Sequence, residues 1–125
     1  MLLSSAHTVI IGAREYEEEE RALLDSLGIT IYTMTDIETI GVNAVFQHVL
    51  EIINQNDMPF GISIDIDGLD PHEAPATAIT SAPGIQSAAL IPFLKQASKH
   101  SQYLGLEIAE FFPYLDIDNL TEKLI

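Results

Sequence analysis

The sequence predicts an α/β fold with three layers, in which helices cover both faces of a mainly parallel sheet. Four segments rich in apolar, β-branched and aromatic residues predict strands. They alternate with segments in which apolar residues recur at helical spacing. Because strands joined through a helix form right-handed parallel crossovers, the alternation predicts a parallel sheet. The chain of 125 residues has the length of one compact domain, so we expect residues 1–125 to form a single domain.

The first half of the chain contains, in order, a predicted strand, helix, strand and helix at residues 8–11, 16–27, 29–33 and 42–54. Gly12 closes the first strand, and Gly28 ends the first helix. Four glutamates, residues 17–20, lie in the first turns of that helix, where carboxylates interact favourably with the helix dipole. Asp36 is placed to cap a short turn. The clearest helical pattern is 42–54, where apolar residues recur at three- and four-residue intervals.

The second half is predicted to contain a strand at 60–66, a helix at 87–99 and a strand at 102–108. Between the first two, residues 67–84 hold three prolines and two glycines and predict a long loop. Such a loop inside a compact domain is usually functional. Pro92 is expected to lie in the first turns of the helix or to kink it. Asp118 or Asn119 is expected to cap a last helix.

Composition excludes several classes of protein. With no cysteine, the chain has neither disulfides nor thiolate zinc sites. The net charge of −14 argues against nucleic acid and anionic membranes as partners. It suits a metal ion or a cationic substrate, although solubility alone explains it equally well. No apolar run is long enough to span a bilayer, and residues 1–7 lack the pattern of a secretory signal. We therefore expect a cytoplasmic protein.

Two aspartates at the end of the third predicted strand are the clearest candidates for chemistry. Asp65 and Asp67 are two residues apart, and side chains at this spacing in a strand point to the same face. Neighbouring carboxylates repel each other unless a proton or cation lies between them. Hard divalent cations prefer oxygen ligands, so the pair predicts a metal site. Asp70, which precedes Pro71, is expected to shape the turn.

Two other interpretations of these aspartates compete with a metal site. In the first, they simply cap the loop. In the second, the segment is a calcium-binding EF-hand loop. Counting from Asp65 places Leu69 and Ala76 at positions 5 and 12, where that loop requires ligand side chains. The EF-hand interpretation is therefore excluded, whereas the interpretation that the two aspartates cap the loop is not.

Residues 63–71 resemble the signature of the ureohydrolases, the family of arginase, agmatinase and formimidoylglutamase. That signature reads serine-x-aspartate-x-aspartate-x-x-aspartate-proline, and a Pro- and Thr-rich loop follows it here at 74–84. The other segments that resemble arginases are 9–14, 27–29, 34–37, 40–41 and 104–113. The similarity covers nearly the whole chain and is greatest to arginase. It implies a partial arginase-like fold that corresponds to the C-terminal portion of a family member.

The resemblance implies a hydrolase with two manganese ions that cleaves a guanidino C–N bond, converting L-arginine to ornithine and urea. It implies that Asp65 bridges both ions, that Asp67 binds one of them, and that Glu110 holds the substrate's guanidinium group. Thr77 matches a loop position beside the substrate pocket. Two purely structural interpretations stay open, in which Glu107 is a buried, hydrogen-bonded carboxylate and Glu110 is a surface residue.

The sequence also departs from the family pattern. Full ureohydrolases are more than twice as long, and nothing here matches their upstream histidine and aspartate ligands; the histidines without a matching position are His7, His48, His72 and His100. Residues 77–80 read Thr-Ala-Ile-Thr where family members commonly have Thr-Gly-Thr-Pro.

We expect the chain alone to bind divalent metal weakly and to hydrolyse arginine negligibly. We expect it to form a homo-oligomer or to pair with the missing N-terminal portion. The alternative is a non-enzymatic, truncated remnant that acts as an oligomerising or weak metal-binding domain.

Overall fold

The computed structural model describes residues 4–14 and 16–125, and in these parts strands and helices alternate as predicted. The strands are β1 (Val9–Ala13), β2 (Thr30–Thr33), β3 (Phe60–Asp65) and β4 (Tyr103–Ala109). The α-helices are α1 (Glu18–Ser26), α2 (Met34–Ile40), α3 (Val42–Gln55) and α4 (Ser87–Ala97). Three short 3-10 helices cover Ser5–His7, Ile66–Gly68 and Pro113–Leu115. The expectation about a secretory signal falls partly on residues 1–3, which lie outside the described residues.

All strand pairs are parallel, as predicted, but the strands form two separate pairs. β1 pairs with β2, and β3 pairs with β4. We expected one sheet, whereas no hydrogen-bonded ladder joins the two pairs in the described parts of the chain. β1 instead approaches the neighbouring segment through side-chain packing. A Cβ atom added at Gly12 would lie only 3.0 Å from the Cδ1 atom of Ile85. The positive φ of 86° favours glycine at position 12, and the Ile85 side chain would have to shift slightly to admit a Cβ atom.

The core lies where α3 and α4 pack against β3 and the start of the long loop. α3 buries four apolar residues at helical spacing, which confirms the pattern predicted for 42–54; they are Val45, Phe46, Val49 and Leu50. The rings of Phe46 and Phe93 of α4 stack with their centroids 4.4 Å apart. Ile66 is completely buried immediately after β3. Burial of each such side chain contributes about 1.5–3 kcal/mol, and it fixes the end of β3 relative to the helices.

Helix α2 was not predicted, although Asp36, which was expected to cap a short turn, takes part in its N-terminal capping box. The Asp36 amide donates to the Thr33 Oγ1 atom at 3.1 Å, and the Thr33 amide donates to the Asp36 carboxylate at 2.8 Å. This reciprocal capping box satisfies two amides of the first turn. The helix has seven residues, too few for an amphipathic pattern to stand out in the sequence.

One expectation for the last third of the chain is wrong. Pro92 lies in the second turn of α4, among the first turns of the helix as expected. The predicted last helix is absent from the described residues, because 118–124 form turns. Asp118 and Asn119 have positive φ angles of 53° and 55°, which a helix does not tolerate. Asp116 takes the capping role instead, since its carboxylate accepts hydrogen bonds from the amides of residues 121 and 122.

β4 exposes several apolar side chains. Leu104, Leu106 and Ile108, the β4 stripe, are exposed to 74%, 44% and 37%. Ile62, the β3 partner of Leu106, packs against the core instead. α3 and α4 therefore cover β3 and leave β4 open. Among the helices of the described residues, none combines the length and apolar character that crossing a membrane would need.

Candidate functional site

Asp65 and Asp67 flank the point where β3 ends. Asp65 is the last residue of β3, and Asp67 is the middle residue of the 3-10 helix that follows. The strand therefore ends one residue earlier than predicted, so strand alternation does not orient Asp67. Instead, the buried Ile66 anchors the turn between them, and the Asp67 amide donates to the Asp65 Oδ1 atom at 3.2 Å. This bond also means that Asp65 caps the turn, in agreement with the capping interpretation.

The two carboxylates line one cleft at the carboxyl ends of β1 and β3. The cleft has a volume of about 300 Å³, and its other walls come from the last residues of β1 and from Ile79 and Ser81 of the long loop. In parallel α/β sheets, ligands bind beyond the carboxyl ends of the strands. The location therefore agrees with the ligand site expected from the sequence.

The electrostatics of the cleft favour a cation. Burial raises the pKa of the Asp67 carboxyl, and the negative charge of Asp65 raises it further. Arg14 opposes this effect on the Asp67 pKa, and Glu110 adds to it. A carboxylate whose ionised form is disfavoured by a neighbouring carboxylate is stabilised by a proton or a positive ion. The two oxygen donors thus fit a hard divalent cation as part of its ligand set.

Glu110 lies in a bend that follows β4, and it contributes to the same negative field. Its charge acts on the Asp67 carboxyl, although its own side chain is exposed. Its φ of 57° is left-handed, which is uncommon for a residue with a Cβ atom. The surface position agrees with the structural interpretation of this residue. Its contact with a substrate stays a prediction.

Thr77 is buried in the long loop, with only 6% of its surface exposed. Its neighbour Ala76 is held from two sides. The Ala76 amide donates to the Thr121 Oγ1 atom at 3.0 Å, and the Phe112 amide donates to the Ala76 carbonyl at 2.8 Å. The turns near the C-terminus and the segment after β4 therefore fix this part of the loop. A contact between Thr77 and substrate stays a prediction.

Asp70 shapes the loop, as predicted. Its carboxylate accepts hydrogen bonds from the amides of His72 at 3.0 Å and Gly84 at 3.3 Å. The bond from the His72 amide is the main reason why the pKa of Asp70 lies below its ordinary value. The His72 Nδ1 atom lies 2.8 Å from the same carboxylate. Asp70 thus joins the two ends of the loop, and His72 lies within that loop.

Glu107 is not buried, so the structural interpretation of this residue is wrong in that respect. It is exposed on β4, on the face opposite to Leu106, and it pairs with Ser63 in the register. Its carboxylate accepts a hydrogen bond from the Ser63 Oγ atom at 3.2 Å. Apolar flanking residues suggested burial, but residues 106–108 of β4 are all exposed. Within residues 4–14 and 16–125, no three histidine, aspartate or glutamate side chains converge as a metal cluster.

Arg14 is the residue of the site that the sequence did not single out. It follows β1, lines the cleft with both aspartates, and donates hydrogen bonds to carbonyl oxygens of the long loop. Only its position after a strand distinguishes it in the sequence. Its partners lie 53 to 69 positions away, so no local pattern indicates them.

These observations define an α/β protein with parallel strands and a pair of aspartates in the crevice at the strand ends. The model of the Arginase family matches residues 1–125, and the chain belongs to the arginase family. The partial arginase-like α/β fold expected from the sequence is thereby confirmed.

Individual relatives show how much of a family member the chain represents. An arginase of Brevibacillus brevis is 30% identical over 122 residues, which are 98% of this chain and 41% of that enzyme. A solved arginase from Bacillus caldovelox superposes with a TM-score of 0.89 at 26% identity, covering 98% of this chain and 41% of its own. A solved formimidoylglutamase from Bacillus subtilis shares the fold, with a TM-score of 0.87 at 24% identity over 97% of this chain and 38% of its own. The chain thus spans about two-fifths of the length of these relatives.

Proposed function

We propose that this chain is the C-terminal portion of an arginase-like dinuclear manganese hydrolase that converts L-arginine to ornithine and urea. The observation that carries the proposal is the pair of carboxylates, Asp65 and Asp67, lining one cleft beyond the strand ends. Membership of the arginase family supports the reaction class. The net charge of −14 suits a cationic guanidino substrate and a metal, and it argues against nucleic acid or membrane as a partner.

Each residue of the site has a role in this proposal. Asp65 and Asp67 would hold the manganese through their carboxylates. Bound manganese would lower the pKa of a water molecule and so supply a nucleophile near neutral pH. Glu110 holds the substrate, because a carboxylate forms strong paired hydrogen bonds with a planar guanidinium group. Thr77 borders the substrate pocket from the loop.

We further propose that the chain alone is inactive. Manganese with oxygen ligands prefers octahedral coordination, and two aspartates supply too few donors for two ions. The relatives are more than twice as long as the part that the chain spans, which leaves room for further ligands in them. The isolated chain is therefore expected to bind manganese weakly and to release urea negligibly.

The proposed partner is either the remaining portion of the fold or a second copy of this chain, in the cytoplasm. The exposed β4 stripe supports association, because large apolar patches on soluble proteins commonly mark contact surfaces. β4 also has one edge that no strand pairs with in the described residues. Such an edge exposes unpaired amides and carbonyls that favour pairing with another chain.

Manganese titration of the chain tests the metal site directly. Paramagnetic Mn²⁺ is expected to broaden amide signals around Asp65 and Asp67 at low metal-to-protein ratios. Asp65→Asn and Asp67→Asn should abolish this broadening. Asp25→Asn is the matched control, because Asp25 is an exposed aspartate on α1 that pairs with Arg21 outside the cleft. Broadening centred on the glutamates at 17–20 in wild type would contradict the proposed site.

A chimera tests the reaction. The chain is joined behind the upstream portion of the Bacillus caldovelox arginase that it does not match, and urea release is measured with and without manganese. Manganese-dependent release that Asp67→Asn abolishes and Asp25→Asn retains is expected. A folded chimera that releases no urea would refute the hydrolase and favour a non-enzymatic role. Urea release by the isolated chain at ordinary enzyme rates would refute the proposal that it is inactive alone.

A further inference from the structure

One arginine side chain joins both ends of the long loop. The Arg14 Nη1 atom donates to the carbonyl oxygens of Ser81 at 2.8 Å and Pro83 at 2.9 Å. Its Nη2 atom donates to the carbonyl oxygen of Asp67. Residue 67 begins the loop, whereas residues 81 and 83 lie near its end. The guanidinium group therefore holds three backbone positions together from the end of β1.

The residues beside Asp67 are held by the buried Ile66 and by the hydrogen bond from the Ile85 amide to the Gly68 carbonyl, but the Asp67 carbonyl has one hydrogen-bond partner in the described residues, Arg14. The 3-10 helix that contains Asp67 has three residues and is closed by one hydrogen bond, from the Leu69 amide to the Ile66 carbonyl. The hydrogen bonds of a 3-10 turn have poorer geometry than those of an α-helix, and a single turn is too short to gain cooperative stability. The bond between the Asp67 carbonyl and Arg14 therefore adds a restraint, which the turn itself does not supply, on the direction in which the Asp67 side chain leaves the backbone.

The choice of arginine follows from this geometry. A guanidinium group is planar and carries five N–H donors in a fixed arrangement, so one side chain can serve several carbonyls at once. A lysine ammonium keeps the charge but cannot reproduce that arrangement. The hydrogen bonds of Arg14 end on carbonyl oxygens, so they leave the carboxylates of Asp65 and Asp67 available to the cleft.

We propose that Arg14 is a positioning residue that fixes the Asp67 backbone and the end of the loop, and that it thereby increases the affinity of the two aspartates for a divalent cation. This inference rests on the proposed function. It also runs against simple electrostatics, because a positive charge beside a metal site weakens metal binding. Loss of the Arg14 charge alone would strengthen metal binding, whereas loss of the positioning weakens it. The sign of the change in Mn²⁺ affinity therefore separates the effect of the charge from the effect of the positioning.

The test compares Arg14→Gln and Arg14→Lys with Arg21→Gln, in which an arginine of an exposed ion pair on α1 is removed. Amide hydrogen exchange across 67–84 is measured without metal, and Mn²⁺ affinity is measured by paramagnetic broadening. In Arg14→Gln, exchange should become about tenfold faster or more, as expected from loss of a charge-assisted hydrogen bond. Mn²⁺ affinity should fall about 10-fold to 100-fold, which is typical when a residue that orients a ligand is lost. Arg14→Lys should restore neither property fully, and Arg21→Gln should change neither.

Unchanged exchange in both Arg14 variants would overturn the positioning role. Faster exchange with equal or tighter Mn²⁺ binding in Arg14→Gln would overturn the link to affinity. If Arg14→Gln does not fold by circular dichroism, Arg14→Lys decides both points, because it retains the charge and the aliphatic stem. Absence of Mn²⁺ binding by wild type would refute the proposed function and the affinity effect. The exchange data would still decide whether Arg14 restrains the loop.

Discussion

At the scale of single residues, the Asp67 carboxyl links the stability of the chain to pH. Its pKa lies above the ordinary value of 3.8, chiefly because of burial and then because of the charge of Asp65. The folded state therefore binds more protons than the unfolded state as the pH rises from 3.8 through the folded pKa. The stabilisation that Asp67 contributes is fully present below pH 3.8. It is lost as the pH rises from 3.8 through the folded-state pKa.

Asp67→Asn removes this pH dependence. In metal-free buffer at pH 7, the variant is expected to be more stable than wild type, because it lacks the disfavoured charge. The difference should shrink as the pH approaches 3.8, where the wild-type carboxyl becomes protonated in both states. Urea denaturation at several pH values measures the difference in the free energy of unfolding between Asp67→Asn and wild type. A variant that is less stable than wild type at pH 7 in the presence of a chelator would show that the ionised Asp67 is favoured by the fold.

Glu110 adopts a backbone conformation that residues with a Cβ atom disfavour. A left-handed φ of 57° disfavours any residue with a Cβ atom, whereas glycine adopts it freely. Glu110→Gly should therefore be more stable than Glu110→Ala by about 1 kcal/mol, as judged from the cost of left-handed residues. Both variants lack the carboxylate, so their comparison isolates the backbone. Equal midpoints in urea denaturation would mean that the bend carries no such penalty.

At the scale of elements, the hydroxyl of Thr121 connects the turns near the C-terminus to the long loop. Thr121 is fully buried and accepts a hydrogen bond from the Ala76 amide. Thr121→Val preserves the shape but leaves that amide without its acceptor, which should lower the free energy of unfolding by about 1–3 kcal/mol. The control Thr39→Val removes an exposed hydroxyl that donates to the Thr35 carbonyl. Its free energy of unfolding should change by no more than about 0.5 kcal/mol. Similar losses in both variants would argue that Thr121 does not hold the loop.

The elements that the sequence predicts well are those with their own local signal. α3 has the clearest amphipathic pattern, and the structure reproduces it nearly residue for residue. α2 was missed because seven residues are too few to show a helical period, even though Asp36, a member of its capping box, was expected to cap a turn. The last helix was wrongly predicted because Asp118 and Asn119 are good caps, yet they adopt left-handed angles while Asp116 makes the hydrogen bonds.

The candidate site shows the same division between local and non-local information. The aspartate pair could be predicted because its spacing is local. The roles of Arg14 and Thr121 could not, since their partners lie far away in sequence. The exposure of Glu107 was also missed. Apolar residues around it suggest a buried strand, but burial depends on which helix covers β4, and that information is not local.

At the scale of the whole molecule, two opposing properties govern association. The net charge of −14 makes two copies repel each other. The exposed β4 stripe favours an apolar partner, and the edge of β4 that is unpaired in the described residues favours another strand. Salt screens charge repulsion beyond a Debye length of about 8 Å at physiological ionic strength, but it does not weaken apolar contacts. Self-association, if it occurs through β4, should therefore strengthen as salt is added.

Sedimentation velocity between low and high salt measures this balance. We expect wild type to shift from smaller to larger species as salt increases, because screening removes repulsion while the Leu104 and Leu106 side chains still favour burial. The double variant Leu104→Asn and Leu106→Asn should stay monomeric under the same conditions. Leu23→Asn is the matched control, since Leu23 is exposed to 58% on α1, away from β4, and its loss should leave the salt response intact. A wild-type monomer at every salt concentration would exclude self-pairing and leave the remaining portion of the fold as the proposed partner of β4.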